Sequence, residues 1–322
     1  MVHIGQPWNT DPRQLRLRPF DGSASDLEAL ARVRNETLRA VSLPEDYREW
    51  HAEEMGRFYN RAGFELEGNS WLIHLGEEPV AAAVVYPRSL FPDRPPGNFD
   101  MYVVPVHRRH GLGSRLLAHL EQAAAGRGHR VLETTVAGED EGSSGFLSRH
   151  GFAVVGQSMR LSRYGLDDLP PLSLPQGYSI GSLAETGEAV DLYREMTNRL
   201  GSYDANYSLV APEEMERVVS SEGWEPQGVF FLLDPGGRIV GVIRASGAGT
   251  GRGELHEIRL EPSLRGMGLG RALLTVALQY LAEAGVRLVE LSTASDQVAA
   301  HRLALSAGFE LTRHWLHFMK RL

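Results

Sequence analysis

The chain has no cysteine in 322 residues. That excludes disulfides, zinc–thiolate sites and thiol nucleophiles. Lys320 is its only lysine, so the basic residues are almost all arginine, a bias that fits a high-GC genome and carries nothing about mechanism. Long apolar runs are missing too. No stretch approaches the ~20 residues a helix needs to cross a bilayer. The N-terminus has no signal-peptide pattern. The expectation is a soluble, cytoplasmic protein with no membrane partner. Basic residues are outnumbered, with Lys+Arg 33 against Asp+Glu 41 and a net charge of −8. That balance argues against nucleic acid as a partner and favours cationic ligands such as amines. A Gly-Lys-Ser/Thr loop and a dinucleotide fingerprint are both absent, which weakens kinase and dehydrogenase readings.

What is present is one stretch written twice. Val103 to Leu117 contains Pro105, Arg108, Gly111 and Gly113; Leu260 to Leu274 contains Pro262, Arg265, Gly268 and Gly270. Each pair has the same offset, since 262−105, 265−108, 268−111 and 270−113 are all 157. Each copy reads as a strand broken at a proline, then a basic glycine-rich turn, then an apolar-periodic helix. The glycines let the backbone turn tightly and let a ligand approach it. The first helical turn leaves N–H groups unpaired, and with the helix dipole these favour an anion. Arg108 and Arg265 stand at the mouth of such a site, so the local chemistry points to a phosphate or pyrophosphate. With 42% hydrophobic residues the chain can fill two ordinary cores.

The flanking elements repeat as well. In the first half, strands are expected over 14–20, 70–75, 79–86, 99–104, 131–136 and 152–163. Helices are expected over 26–40, capped by Asp26, and over 46–60, 143–150 and the segment after Gly113. Residues 1–13 read as a tail, 43–69 as a long insert and 88–97 as a Pro-rich loop. Asp167 to Pro175 is acidic and then proline-rich, and reads as a boundary. The second half repeats the order, with strands over 178–182, 229–233, 239–245, 254–260, 287–292 and 309–319. Its helices fall over 188–200, 212–221, 298–306 and the segment after Gly270. Gly151-Phe152 and Gly308-Phe309 each read as a helix stop followed by a core aromatic.

The R-x-x-G-x-G spacing between strand and helix, in two copies, resembles the acyl-CoA pyrophosphate loop of the GNAT superfamily of N-acetyltransferases. The resemblance implies an α/β (α+β) fold of two tandem GNAT domains, each a mixed, mostly antiparallel sheet flanked by helices. The expected limits are residues 1–166 and 178–322, joined by a linker over 167–177. It implies acetyl-CoA as cosubstrate, no metal, and a small-molecule or peptide amine as acceptor. The assembly would be a monomeric pseudo-dimer of the two domains or a homodimer. The CoA-binding candidates are Val103, Arg108, Arg109, His110, Gly111, Leu112, Gly113 and Ser114 in the first copy. In the second they are Ile258, Leu260, Arg265, Gly266, Met267, Gly268, Leu269, Gly270 and Arg271. A narrower resemblance, to the two-domain mycothiol synthases, rests on the tandem layout and on Ser295 to Ala300 followed by Gly308-Phe309.

Many members of the superfamily carry a catalytic Glu fourteen residues before the first loop glycine. That position is Glu254 in the second copy and Gly97 in the first, which points to catalysis in the second. Glu257, matching Asp100, is the nearby alternative. Strict alternation sets it on the opposite face from Glu254, and a bulge would reverse that. His256 is a candidate proton relay. The tyrosine that often serves as the thiolate acid is replaced by Leu147 and Ala304, with His301 as a substitute. Missing tyrosines and Gly97 also fit an acyl-CoA sensor without turnover. Loop position marks 87–96, 198–207 and 245–251 as substrate rims, with Tyr203, Asp204 and Tyr207 able to meet a polar amine.

Overall fold

The computed structural model describes residues 15–41, 47–59, 66–87, 97–185, 189–204, 207, 209–220 and 224–322. The tail expected over 1–13, the loop over 88–96 and the two ends of the helix expected over 46–60 lie outside the described residues. The chain forms two compact units. One ends at Val155 and includes His317–Leu322; the other is Gly156–Leu316.

In the first unit β1 (Leu15–Pro19), β2 (Ser70–Leu75), β3 (Glu78–Pro87) and β4 (Gly97–Val103) pair antiparallel in chain order. β5 (Val131–Ala137) joins β4 in parallel. The helices are α1 (Ala24–Arg39), α2 (Ala52–Tyr59), α3 (Leu112–Gly126) and α4 (Glu141–Arg149). Leu30 and Val33 of α1, Met55 and Tyr59 of α2, and Leu72, Ala82 and Val84 of the sheet make one core. The cap of α1 is Ser23, whose side chain accepts from the Asp26 amide. Asp26, the expected cap, is instead buried and bonded to Arg18, with an Arg18 Nη1–Oδ2 distance of 2.7 Å. Both residues favour helix starts by the same hydrogen bond, so sequence preference alone does not separate them.

β6 (Ala153–Tyr164) begins in the first unit and runs into the second. There β7 (Ser179–Ser182), β8 (Val229–Leu233), β9 (Ile239–Ser246) and β10 (Arg252–Leu260) pair antiparallel, and β11 (Leu288–Ala294) joins β10 in parallel. β6 pairs antiparallel with β11, from Ser158↔Ala294 to Tyr164↔Leu288. The helices are α5 (Ala189–Gly201), α6 (Pro212–Val219), α7 (Leu269–Glu283) and α8 (Val298–Ser306). The last strand, β12 (Glu310–Arg321), lies beside β6 in this unit, where Ser162 and Thr312 hydroxyls are 2.8 Å apart. Its final residues sit with β5 in the first unit, the Leu322 amide bonding the Arg130 carbonyl at 3.0 Å.

Most expected elements form close to their expected limits, the exception being the helix expected over 46–60, which begins only at Ala52; the division of the chain differs. The segment over 167–177, expected as a linker, lies within the second unit, and the strand expected to close the first copy serves the second. Strand length gives the reason. β6 and β12 each have 12 residues, about twice the usual five or six. A strand that long has room for different neighbours along its length. Backbone hydrogen bonds are generic, so alternation along a strand names its faces and not its neighbour.

Both late helices end as expected. Gly151 and Gly308 have φ of 84° and 78°. The next amides, of Phe152 and Phe309, bond back to the Leu147 and Ala304 carbonyls at 3.1 Å. The left-handed glycine satisfies the last turn and delivers a buried aromatic to the core.

Candidate active site in two copies

The two glycine-rich loops have almost one geometry. Gly111 and Gly268 are the N-terminal caps of α3 and α7, with φ of 80° and 81°, and neither cap supplies a side-chain acceptor. The first helical amides are thus left for an anion. One position earlier by two, the copies differ: Arg109 is held at φ 68° where Gly266 sits at 83°. A non-glycine residue there is strained by roughly 1–2 kcal/mol. The Arg108 Nε donates to the Val103 carbonyl at 3.1 Å. The Arg265 side chain has no such bond among the described residues.

The parallel strands part just before each loop. β4 and β5 pair only at Gly97↔Leu132 and Asn98↔Glu133. β10 and β11 pair from Arg252↔Leu288 to Leu255↔Leu291. Beyond those points the strand that leads into the loop offers backbone groups to an extended ligand.

Each unit holds a cavity at this cleft. The first, of about 360 Å³, is lined by Val103, Arg108, Arg109, Gly111, Leu112, Gly113 and Ser114, all expected, with Thr37, Asp140, Phe146, Arg149 and His150 among the unexpected. The His150 Nε2 is 3.0 Å from the Ser114 Oγ. His110 is exposed and outside the wall. The second cavity, of about 380 Å³, is displaced toward the cleft. Its wall includes His256, Glu257, Ile258 and Arg259 of β10, Thr293 of β11, Asp204, and Gln297, Ala300 and Ala304 at α8. Leu260, Arg265, Gly266, Met267, Gly268, Leu269, Gly270 and Arg271 do not line it; Arg265 to Gly268 and Arg271 are exposed, and Leu269 is buried.

Glu254 is exposed and outside the cavity wall, and its carboxylate has no partner among the described residues. Glu257, in the wall, is engaged: the Tyr193 hydroxyl donates to Oε1, and Arg259 Nε donates to Oε2 at 3.1 Å. The register of β10 on β9 slips between Leu255 and Glu257, leaving His256 as the extra residue. Glu254 is opposite Ser246 and Glu257 is opposite Arg244, so the bulge returns both carboxylates to one face. That is the reversal the alternation rule allowed for. His256 Nε2 is 2.6 Å from the Ser246 Oγ. Burial, and then the charge of Arg244, pushes its pKa down to about 4, so the ring is neutral at ordinary pH. Burial above all, with the charge of Glu257, raises the Tyr193 phenol and keeps its proton on.

The equivalent acid of the first unit has a different setting. β4 pairs with β3 without a slip. Asp100 accepts from the Tyr59 hydroxyl at 2.7 Å and the Tyr86 hydroxyl at 3.4 Å, and burial raises its pKa. Gly97, matching Glu254, is packed: a Cβ there would stand 3.0 Å from Leu132 Cδ2 and 3.4 Å from Val85 Cγ1.

Ala304 is in the second cavity's wall and Leu147 is buried, so neither copy has a hydroxyl at the tyrosine position. His301 does not line the cavity, and its Nε2 is buried without a partner. Of the rim residues, Asp204 is in the wall and accepts from Gln297 Nε2 at 3.1 Å. Tyr207 lies 4.5 Å beneath the Arg259 guanidinium. No group of three His, Asp or Glu residues able to hold a metal occurs among the described residues.

Several supports were not foreseen. The Asn35 amide bonds the backbone of Trp50 in both directions, and the Asn198 amide does the same at Val210. Each ties its helix to the segment that follows. These residues are 198−35 = 163 apart, so a search at an offset of 157 misses them. Glu261, buried before the second loop, accepts from Arg199 at 2.8 Å and Arg238 at 2.7 Å. Glu225 accepts from the amides of Gly247 and Ala248 and from the Tyr280 hydroxyl, holding the turn between β9 and β10.

Comparison with known proteins agrees with this geometry. The model of the acetyltransferase (GNAT) family matches residues 35–152 and again 197–309. A mycothiol acetyltransferase of Geodermatophilus obscurus is 32% identical over 223 residues, 67% of this chain and 70% of that protein. One from Actinosynnema mirum is 31% identical over 213 residues, 65% of this chain and 70% of that protein. Among solved structures, a GCN5-related N-acetyltransferase from Sphaerobacter thermophilus superposes with a TM-score of 0.76 at 22% identity, covering 97% of each chain. A tandem GNAT protein from the clavulanic acid biosynthesis pathway superposes with a TM-score of 0.67 at 20% identity, covering 95% of this chain and 98% of that one. No helix among the described residues is long and apolar enough to cross a membrane. The paired loops, the parted strands and the twofold family match have one reading: the chain belongs to the acetyltransferase (GNAT) family, as an acyltransferase with two copies of that domain in tandem.

Proposed function

We propose that the second unit catalyses, moving an acetyl group from acetyl-CoA to the primary amine of a small molecule by direct attack in a ternary complex. The uncapped amides at Leu269, Gly270 and Arg271, with the unpartnered Arg265, suit the pyrophosphate. The pantetheine would pair with β10 at Ile258 and Leu260, as an added strand does. Holding thioester and amine together supplies ~7–11 kcal/mol of the barrier reduction.

Glu254 is the proposed base. Its carboxylate is uncommitted, whereas both oxygens of Glu257 already accept bonds. Glu257, held in the wall by Tyr193 and Arg259, draws the ammonium. Glu254, on the same face, takes its proton and passes it to solvent. Neutral His256 adds no cation to repel the amine. With no hydroxyl at Ala304, the thiolate, a good leaving group, takes its proton from water. The observation that carries this reading is the bulge at His256, which sets both acids on one face where β10 and β11 part.

The test is the pH–rate profile of acetyl transfer for Glu254→Gln. The expected outcome is loss of the limb that reports the base. An unchanged profile would remove Glu254 from this role. A second reading, favoured by the mycothiol acetyltransferases at 31–32% identity, is acetylation of a cysteinyl pseudodisaccharide on the way to mycothiol. Its test is turnover of that compound by the purified protein.

A further inference from the structure

Arg244 of β9 is directly opposite Glu257. It is half-buried, and its Nε is fully buried with no hydrogen-bond partner. Its guanidinium makes no ion pair or hydrogen bond among the described residues. This is unusual for a buried arginine, whose donors are normally satisfied. On β10 the neighbouring charges are matched or neutral, since Arg259 bonds Glu257 and His256 is uncharged; in the cavity wall Asp204 accepts from Gln297, and exposed Asp296 adds a further carboxylate. Among the described residues of β9 and β10, two uncommitted charges of opposite sign remain on this face, Glu254 and Arg244. Glu254 faces Ser246 across the ladder, and Arg244 is two residues from Ser246. Such diagonal positions lie about 7–8 Å apart, a span a small molecule can bridge; neither residue lines the second cavity, whose wall begins beside them at Ile243, His256 and Glu257.

The first unit supplies the contrast. The residue opposite its acid, Asp100, is Val84, which is fully buried in an apolar core. The second copy has an arginine where the first has packing, and no partner for it among the described residues.

We propose that Arg244 is a specificity residue for the acceptor, and that the acceptor carries an anionic oxygen group, carboxylate or phosphate, a few bonds from its reacting amine. The guanidinium fork binds the anion while Glu254 and Glu257 take the ammonium. The inference rests on the second unit being the acetylating one, and it disfavours a neutral acceptor such as a cysteinyl pseudodisaccharide.

The experiment measures acetyl-CoA-dependent thiol release by the full-length protein with matched acceptors. One arm sets the proteinogenic L-amino acids against their carboxamides; another sets phosphoethanolamine against ethanolamine; the cysteinyl pseudodisaccharide is the neutral comparator. The expected result is a kcat/KM preference for the anionic member on the order of tenfold to a hundredfold. The arm in which it appears identifies the anion as carboxylate or phosphate. Arg244→Met should erase that preference while leaving the affinity for acetyl-CoA unchanged, and Arg244→Lys should retain part of it. If Arg244→Met does not fold, Arg244→Lys and the wild-type preference still decide. Equal or better use of neutral members, a preference that survives Arg244→Met, or no turnover in any anionic arm would overturn the proposal. Turnover of a neutral amine in any of those cases leaves the acetyltransferase reading standing.

Discussion

The two units carry the same loop and differ at the acid. In the first, the acid on β4 is Asp100, clamped by Tyr59 and Tyr86, opposite Val84, with Gly97 packed tightly against Leu132. In the second, β10 bulges at His256, Glu254 is free, Glu257 is in the cavity wall, and Arg244 replaces the valine. The cavities differ to match. One embraces the anion loop and the other the strand cleft. Both copies keep the loop geometry, while β10 alone has the bulge that sets two carboxylates on one face.

The sharpest test of that contrast is at the acids. Glu254→Gln is expected to lower kcat by ~10²–10⁴-fold, the size of a lost general base. Glu257→Gln should act mainly on acceptor KM, and Asp100→Asn should leave both constants alone. A large kcat loss in Asp100→Asn would place chemistry in the first unit. Next is the loop. Gly268→Asp puts a side chain at φ 81° and a negative charge at the helix start, so activity should fall roughly a hundredfold or more. Calorimetric titration with acetyl-CoA should then lose one site, while Gly111→Asp spares turnover. Equal loss of turnover from both would mean the units are not divided in labour.

Smaller effects probe structure. Gly97→Glu should lower stability by ~1–3 kcal/mol from overpacking against Leu132, read by chemical denaturation, and bring no new activity. His256 titrates near 6.5 when unfolded and about 4 when folded. The unfolded chain therefore binds more protons in that window, and stability should fall as pH drops from 6.5 toward 4. His256→Asn should flatten that part of the curve. The smallest effect is Arg109→Gly. Relief of left-handed strain is partly offset by chain entropy, for a gain of at most about 1 kcal/mol. The reverse change, Gly266→Arg, should lose a similar amount.

The loops were legible because they need glycine at fixed backbone angles, and no other residue supplies those as readily. The late-helix stops at Gly151 and Gly308 were legible for the same reason. The alternation of β10 was legible only as two options, since a bulge depends on the register of β9 and leaves no mark in β10 itself. Tyr193 and Arg244 were not legible at all. One comes from a helix and bonds Glu257, the other from a neighbouring strand and stands opposite it, and both placements are a matter of packing. The clamps at Asn35 and Asn198 escaped because a change in length between helix and loop shifted them out of the common offset.

By itself the sequence determined the duplication, the elements and the glycine-rich loops. Each of these rests on local backbone chemistry: the freedom of glycine, the unpaired first turn of a helix, the periods of strand and helix. Tertiary structure decided which strands β6 and β12 lie beside, which face Glu257 takes, and which charges find a partner. Those outcomes depend on contacts between residues far apart in the chain, where any strand can pair with any other and only the packed whole selects one.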